Sequence, residues 1–272
     1  MNGWQALHEE LDAWRDGSRV ATFWWRDDDA ADRAPALDRL LDLAARHDAP
    51  LNLAVIPALA TDALTVRLAR AAAPLTVLQH GFAHVNHAPA GEKRMELGLH
   101  RPGVAICEEL SRGLAMLEAT FGTRLAPVLV PPWNRIAEDL VSELAGLGFR
   151  GLSRHTPRQS LRPAPGLIAC NTHLDVLRWR PERAFLGEDE ALDLLIGHLR
   201  ARRRKGVGPA TEVSGSTEPD EPTGLLTHHL AMDEAAWAFV ARLLDALAAC
   251  SSVRWVSADE AFQLTAAAGT KR

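Results

Sequence analysis

The sequence predicts an α/β fold on a mainly parallel sheet, either a barrel or a doubly wound sheet, and three observations carry that expectation. Short apolar runs of β type alternate with helix-periodic segments almost to the end of the chain. Repeated βα units in this number argue for parallel strands joined by crossover helices. Polar clusters stand just beyond several of the apolar runs, where such sheets and barrels carry their chemistry.

In order along the chain, residues 1–19 read as an amphipathic helix containing Glu9, Glu10, Asp12 and Asp16. The β-prone run 20–25 (VATFWW) follows and leads into Asp27-Asp28-Asp29. Residues 35–47 are helical, with Leu37, Leu40, Leu41 and Leu43 among the apolar positions, and 50–56 (PLNLAVI) is a buried-type strand ending at Pro57. A helix over 63–73 and a strand over 75–79 lead to His80; a polar loop over 88–93 then precedes a long helix over 102–121. The pattern continues with strand 126–130, helix 136–147, strands 149–153 and 167–171, and helix 188–203. Residues 204–223 are poor in large apolar groups and rich in Gly, Ser, Pro and acids, the composition of a mobile surface loop. They do not mark a domain boundary, because a strand at 224–227 resumes the alternation, followed by helix 234–248, strand 253–256 and helix 258–265. The expectation is one domain over residues 1–272.

A hydrophobic content of 47% is that of a protein with a substantial core, and the net charge of −5 comes from interspersed acids and bases. With no basic face there is no case for a nucleic-acid partner. The N-terminus lacks the basic start and apolar stretch of a signal peptide, and no segment reaches 18 uninterrupted apolar residues, so a soluble cytoplasmic protein without membrane contact is expected. The sequence sets no oligomeric state. Cys107, Cys170 and Cys250 are odd in number and far apart, which argues against both a disulfide framework and a structural zinc knuckle.

Chemistry concentrates first in His80-Gly81-Phe82-Ala83-His84 and in the acidic triplet. Two imidazoles four residues apart face one point if the segment turns helically. A carboxylate from another strand end would complete a two-His-one-carboxylate set with positions left open. Alone, an HxxxH is weak and an Asp triplet is more often a solvated turn; their place after strands raises both. Three further clusters also follow strands: Pro131-Pro132-Trp133-Asn134-Arg135, then Thr172-His173-Leu174-Asp175 with Trp179, and Thr227-His228-His229. His87 reads as a polar loop residue, and His8, His47, His100, His155 and His198 as surface or helix residues without partners.

Taken in order, these clusters resemble the motifs of the polysaccharide deacetylase family, the NodB-homology carbohydrate esterases. Arg26-Asp27-Asp28-Asp29-Ala30 is similar to the family T-F-D-D-G, and the His80–His84 pentapeptide to H-[ST]-x-x-H. Val130-Pro131-Pro132-Trp133 resembles R-x-P-P-Y, residues 175–179 (DVLRW) resemble D-x-x-D-W, and Leu225-Leu226-Thr227-His228 resembles L-x-x-H. The resemblance implies a distorted (β/α) barrel of seven or eight mainly parallel strands, incompletely closed. It implies a divalent metal, zinc first among the first-row metals, held by Asp29, His80 and His84. Asp28 would be the general base and His228 the general acid in removing an acetyl group from an N-acetylated sugar or a related small amide. The backbone N–H of Trp133 would help to hold the oxyanion, and its indole would form an aromatic wall in place of the family Tyr. A shift of one residue would instead make Asp27 the base and Asp28 the ligand, and His229 stands beside His228 as a second candidate acid.

Two departures from the family pattern stand out. The Arg that orients the base is Val130 here, and the last Asp of the fourth motif is Arg178. Arg26 or Arg135 is a candidate for the first task, and Asp175 or His173 for the second. These losses keep open a barrel that binds saccharide or metal without turnover, or another metal-dependent amidohydrolase. An iron oxygenase with the same ligand set would sit on an antiparallel fold that the βα alternation opposes. An Asp-nucleophile phosphatase would need D-x-D-x-[TV], which fails at Ala31.

Overall fold

The computed structural model describes residues 2–205 and 220–264. Its elements are α1 (Gly3–Asp16), β1 (Ala21–Ala30), α2 (Pro35–Arg46), β2 (Leu51–Val55), α3 (Asp62–Ala69), β3 (Leu75–His80), α4 (Gly103–Phe121) and β4 (Leu125–Val130). They continue with α5 (Glu138–Val141), β5 (Gly151–Leu152), β6 (Ile168–Ala169), β7 (Leu174–Asp175), β8 (Leu177–Arg178), β9 (Ala184–Phe185) and α6 (Glu188–Lys205). The last are β10 (Thr223–Thr227), α7 (Glu234–Ala248), β11 (Val253–Trp255) and α8 (Ala258–Ala261).

The main sheet runs β6-β5-β4-β3-β2-β1-β10-β7, with β11 joining the N-terminal half of β1, and every pairing in it is parallel. This is the expected α/β barrel-type sheet, curled but unsealed between β6 and β7. Beyond β7, β8 and β9 pair antiparallel as a small hairpin.

Strand alternation sorts the core into two sides. Phe23, Trp25, Leu51, Leu53, Val55 and Val77 pack against α1, α2, α6 and α7 through Trp4, Leu40, Leu195 and Phe239. Trp24, Ala54, Leu78, Val128, Val130 and Cys170 fill the other face, where Phe262 meets Trp24 edge-on at 5.6 Å. Replacing the fully buried Trp24 by Ala would cost about 3–5 kcal/mol. The helices carry their own start signals: Thr61 caps α3 through Leu64 N–H at 3.2 Å and Asp233 caps α7 through Ala236 N–H at 2.8 Å. In α6, Glu188, Asp189 and Glu190 open the helix and Arg202 to Lys205 close it, matching the macrodipole.

Several boundaries differ from expectation. The strand expected to stop at Trp25 continues through the acidic triplet to Ala30. The helix expected over 136–147 is helical only in α5; Ile136 forms a parallel bridge with Leu97, and residues 142–147 are turn. β7, β8 and β9, two residues each, had no sequence signal. Of the loop expected over 204–223, residues 204 and 205 end α6 and Thr223 opens β10, while 206–219 lie outside the described residues. The expected helix 258–265 reaches only Ala261, and Thr265 too lies outside the described residues. No helix among the described residues is long and apolar enough to cross a membrane.

Candidate metal and hydrolytic site

The site is built at the C-terminal ends of β1, β3, β4 and β10, beginning with a defect in β1. Asp27 pairs with Leu53 and Ala30 with Val55, so three steps on β1 match two on β2. That is a one-residue bulge, and within it Asp29 takes φ +72. Without it, Asp27 and Asp29 would share a face. Instead Asp27 lies on the far side, fully buried, and accepts from Thr227 Oγ1 (2.6 Å) and His229 N–H (3.0 Å), with His229 Nδ1 at 2.5 Å. Asp28 and Asp29 both reach the site.

Asp29 Oδ1 stands 3.1 Å from His80 Nε2 and 3.2 Å from His84 Nε2. His80 Nδ1 is 3.0 Å from the Val130 carbonyl, which can only accept, so Nδ1 carries the proton and Nε2 of the neutral ring keeps its lone pair. A carboxylate oxygen facing such nitrogens is satisfied by a proton or by a cation, and two imidazoles with one carboxylate form a donor set suited to zinc and other first-row metals. Burial works against the charged Asp29, but hydrogen bonds from His80 and His84 outweigh it and hold the carboxyl far below the usual range. Burial likewise opposes protonation of His80, and the Asp29 bond with the nearby Asp28 charge raises its pKa nonetheless. The helical turn expected to bring His80 and His84 together is absent. The segment is a loop with Gly81 at φ +56 and His84 at φ +58, and the rings meet with centroids 5.1 Å apart.

Asp28 is gripped by Arg26, two residues earlier on the same face: Nε donates to Oδ1 at 2.8 Å and Nη2 to Oδ2 at 2.9 Å. The guanidinium is itself fully buried and donates to Ser153 Oγ (2.6 Å), the Arg154 carbonyl (3.1 Å) and Asn134 Oδ1 (2.7 Å). Arg135 does not compete, since its guanidinium bonds the Arg94 carbonyl on the surface. Trp133 and Asn134 both have positive φ, at +55 and +56, immediately after Pro131-Pro132. That turn sends the Trp133 ring over His84, with centroids 4.5 Å apart, and Asn134 back to Arg26.

Across the site, His228 places Nε2 3.9 Å from Asp28 Oδ2 and Nδ1 3.8 Å from Asp175 Oδ1. Trp179 packs edge-on against His228 at 4.7 Å and donates from its indole N–H to Asp175 Oδ2 at 2.8 Å. Burial pushes the Asp175 carboxyl above its ordinary value, against the pull of His228 and these bonds.

Of the paired candidates, then, Arg26 and Asp175 occupy the places beside Asp28 and His228. His173 lies elsewhere, stacked on His198 at 3.5 Å with Nε2 3.3 Å from Glu221 Oε2. This second group of nitrogen and oxygen donors does not suit a cation. His173 Nδ1 accepts the Gly224 N–H at 2.9 Å, so Nε2 bears the proton and has no lone pair to offer. His198 and His155 are not the partnerless surface residues expected. Burial lowers His198 to about 2 and His155 to about 4, and both bond threonine hydroxyls. The sequence also gave no sign of Ser153 or of Glu96, whose carboxylate lies under the His80–His84 loop.

No family model matches the sequence, and no curated protein sequence matches it. Solved structures do. The chain is similar to a candidate polysaccharide deacetylase from Mycobacterium smegmatis, at 16% identity over 90% of each chain with a TM-score of 0.65. It is similar to the peptidoglycan deacetylase PdaC from Bacillus subtilis, at 11% identity over 90% of this chain and 91% of that one with a TM-score of 0.54. A family 4 carbohydrate esterase from Streptomyces lividans, in complex with acetate, gives 12% identity over 86% and 90% with a TM-score of 0.50. The chain carries the polysaccharide deacetylase fold, of the NodB-homology type.

Proposed function

We propose that the protein is a metal-dependent hydrolase that removes an acetyl group from an N-acetylated sugar or a related small amide. The observation that carries this reading is the convergence of Asp29, His80 and His84 on one point, with Asp28 held beside it by Arg26.

In this reading Asp29 Oδ1, His80 Nε2 and His84 Nε2 hold a divalent cation, zinc by preference. Bound there, the cation supplies Lewis acidity, which lowers the pKa of water to ~7 and polarises a carbonyl oxygen. Asp28 takes a proton from the attacking water, and Arg26 fixes the direction from which it does so. The Trp133 backbone N–H donates to the developing oxyanion. His228 delivers a proton to the departing nitrogen, and the Asp175 carboxylate, 3.8 Å from its Nδ1, acts on the ring through its charge rather than through a hydrogen bond. Trp133 and Trp179 offer flat apolar walls to a sugar ring. In this assignment Asp27 and His229 do no chemistry, because their polar atoms face each other on the opposite side of β1.

The case for a barrel that binds without turnover rests on Val130 and Arg178 replacing an Arg and an Asp; the Arg26–Asp28 fork and the nearness of Asp175 to His228 weigh against it. The finer parts of the proposal are a single barrel domain, a cytoplasmic setting and an intracellular precursor, such as a nucleotide- or lipid-linked sugar, as substrate. Zinc content measured together with acetate release from N-acetylated monosaccharides, nucleotide sugars and small amides tests it. Zinc bound with no acetate from any of them would leave the binding-only reading in its place.

A further inference from the structure

We propose that Glu96 is the positioning residue of this metal centre: its carboxylate shapes the loop that presents His84. The inference rests on the metal-site reading above. Glu96 is 1% exposed, and both its oxygens are spent on one turn. Oε2 accepts the Phe82 N–H at 3.1 Å, while Oε1 accepts those of Ala83 at 2.8 Å and Val85 at 3.4 Å. The amides on either side of His84 therefore share one oxygen atom, and His84 is held between them.

The turn needs such an anchor. His84 sits at φ +58, a conformation that costs a non-glycine residue on the order of 1–3 kcal/mol unless its surroundings impose it. Gly81, at φ +56, is the other left-handed position, and a Cβ there would run into Glu96 Oε2 and the Pro132 ring. Only glycine lets the carboxylate come this close. Gln79 secures the other side of the turn by donating to the Gly81 carbonyl at 2.9 Å.

Glu96 is delivered from the neck of the 86–95 loop. Asn86 Oδ1 accepts the Ala88 and Met95 N–H groups at 3.1 and 2.9 Å, and His87 N–H donates to the Met95 carbonyl at 3.0 Å. The next residue, Leu97, is fully buried and its carbonyl accepts the Ala137 N–H at 2.9 Å. A carboxylate is required because it accepts on both oxygens, whereas glutamine would set an NH₂ group against a backbone N–H.

The experiment compares zinc affinity, by chelator competition, in the wild type, Glu96→Gln and the exposed loop control Glu92→Gln, with metal-free thermal midpoints measured alongside. Expected is a ~10–100-fold weaker affinity for folded Glu96→Gln, whose metal-free midpoint also falls because a buried N–H loses its acceptor, with Glu92→Gln like the wild type in both. Equal affinity in all three overturns the inference. A second measurement, amide hydrogen exchange on the metal-free wild type, should find Phe82, Ala83 and Val85 protected although they lie in a loop. Exchange there at the rate of an open loop also overturns it, and this arm decides the matter if Glu96→Gln does not fold. A wild type that binds no zinc while those amides are protected would sink the deacetylase reading and leave Glu96 as the organiser of the turn.

Discussion

Arg26 and Asp28 lie one pleat apart on β1 and meet through two parallel bonds, at 2.8 and 2.9 Å, with neither group open to solvent. Residues i and i+2 of a strand share a face, so the strand that carries the proposed base also carries the cation that aims it. A fork of this kind fixes direction as well as distance, which a point charge would not do.

The first prediction concerns that fork. Arg26→Ala leaves the Asp28 charge buried without its partner and should destabilise the protein by about 3–5 kcal/mol in urea unfolding. Arg26→Lys keeps the charge and loses the planar geometry, so acetate release should fall while zinc content stays at one per chain. Wild-type turnover in Arg26→Lys would mean that orientation of Asp28 is not limiting.

Asp28→Asn should retain zinc and lose ~10²–10⁴-fold in rate, because an amide cannot take the proton. Asp27→Asn should bind zinc normally and turn over near the wild-type rate, with its effect confined to stability through the His229 contact. The reverse pattern in steady-state kinetics would move the base to Asp27.

His228→Ala should likewise keep its metal. Its loss in rate should be large for amides and small for aryl acetates, whose leaving group departs without a proton. Equal losses on both substrate types would remove the acid role.

Zinc stabilisation should grow with pH. The folded pKa of metal-free His80 is raised, so its bond to Asp29 contributes fully below the ordinary value of 6.5 and is lost as pH rises through the higher folded value. Asp29, depressed in the fold, stays ionised throughout that window. Below that folded value zinc must therefore displace a proton that already stabilises the site; above it, less so. The difference in thermal midpoint between zinc-loaded and metal-free protein should widen from pH 5.5 to 8. A constant difference would separate the ion from this pair.

Much of the architecture was legible because burial leaves a periodic trace. Strand cores such as Leu51–Val55 and helices such as Glu234–Ala248 are long and patterned, and the polar clusters at their ends marked where side chains would converge. What escaped notice depends on geometry that composition does not encode. The short strands beyond Ala169 are held by neighbours rather than by propensity. The HxxxH spacing suggested a helix, yet two left-handed residues bring the rings together in a loop. Glu96 acts from outside every motif, through backbone amides that no sequence pattern displays.

The bulge in β1 makes the orientation of the site a matter of residue count rather than residue type. Deleting a single residue between Asp27 and Ala30 would restore strict alternation and turn one carboxylate of the pair outward, although an acidic run would remain. A change of length in this strand should therefore be at least as damaging as an exchange of Arg26, Asp28 or Asp29. Its vulnerability is to slippage of phase, and an inserted or deleted codon there would silence the protein more surely than most substitutions.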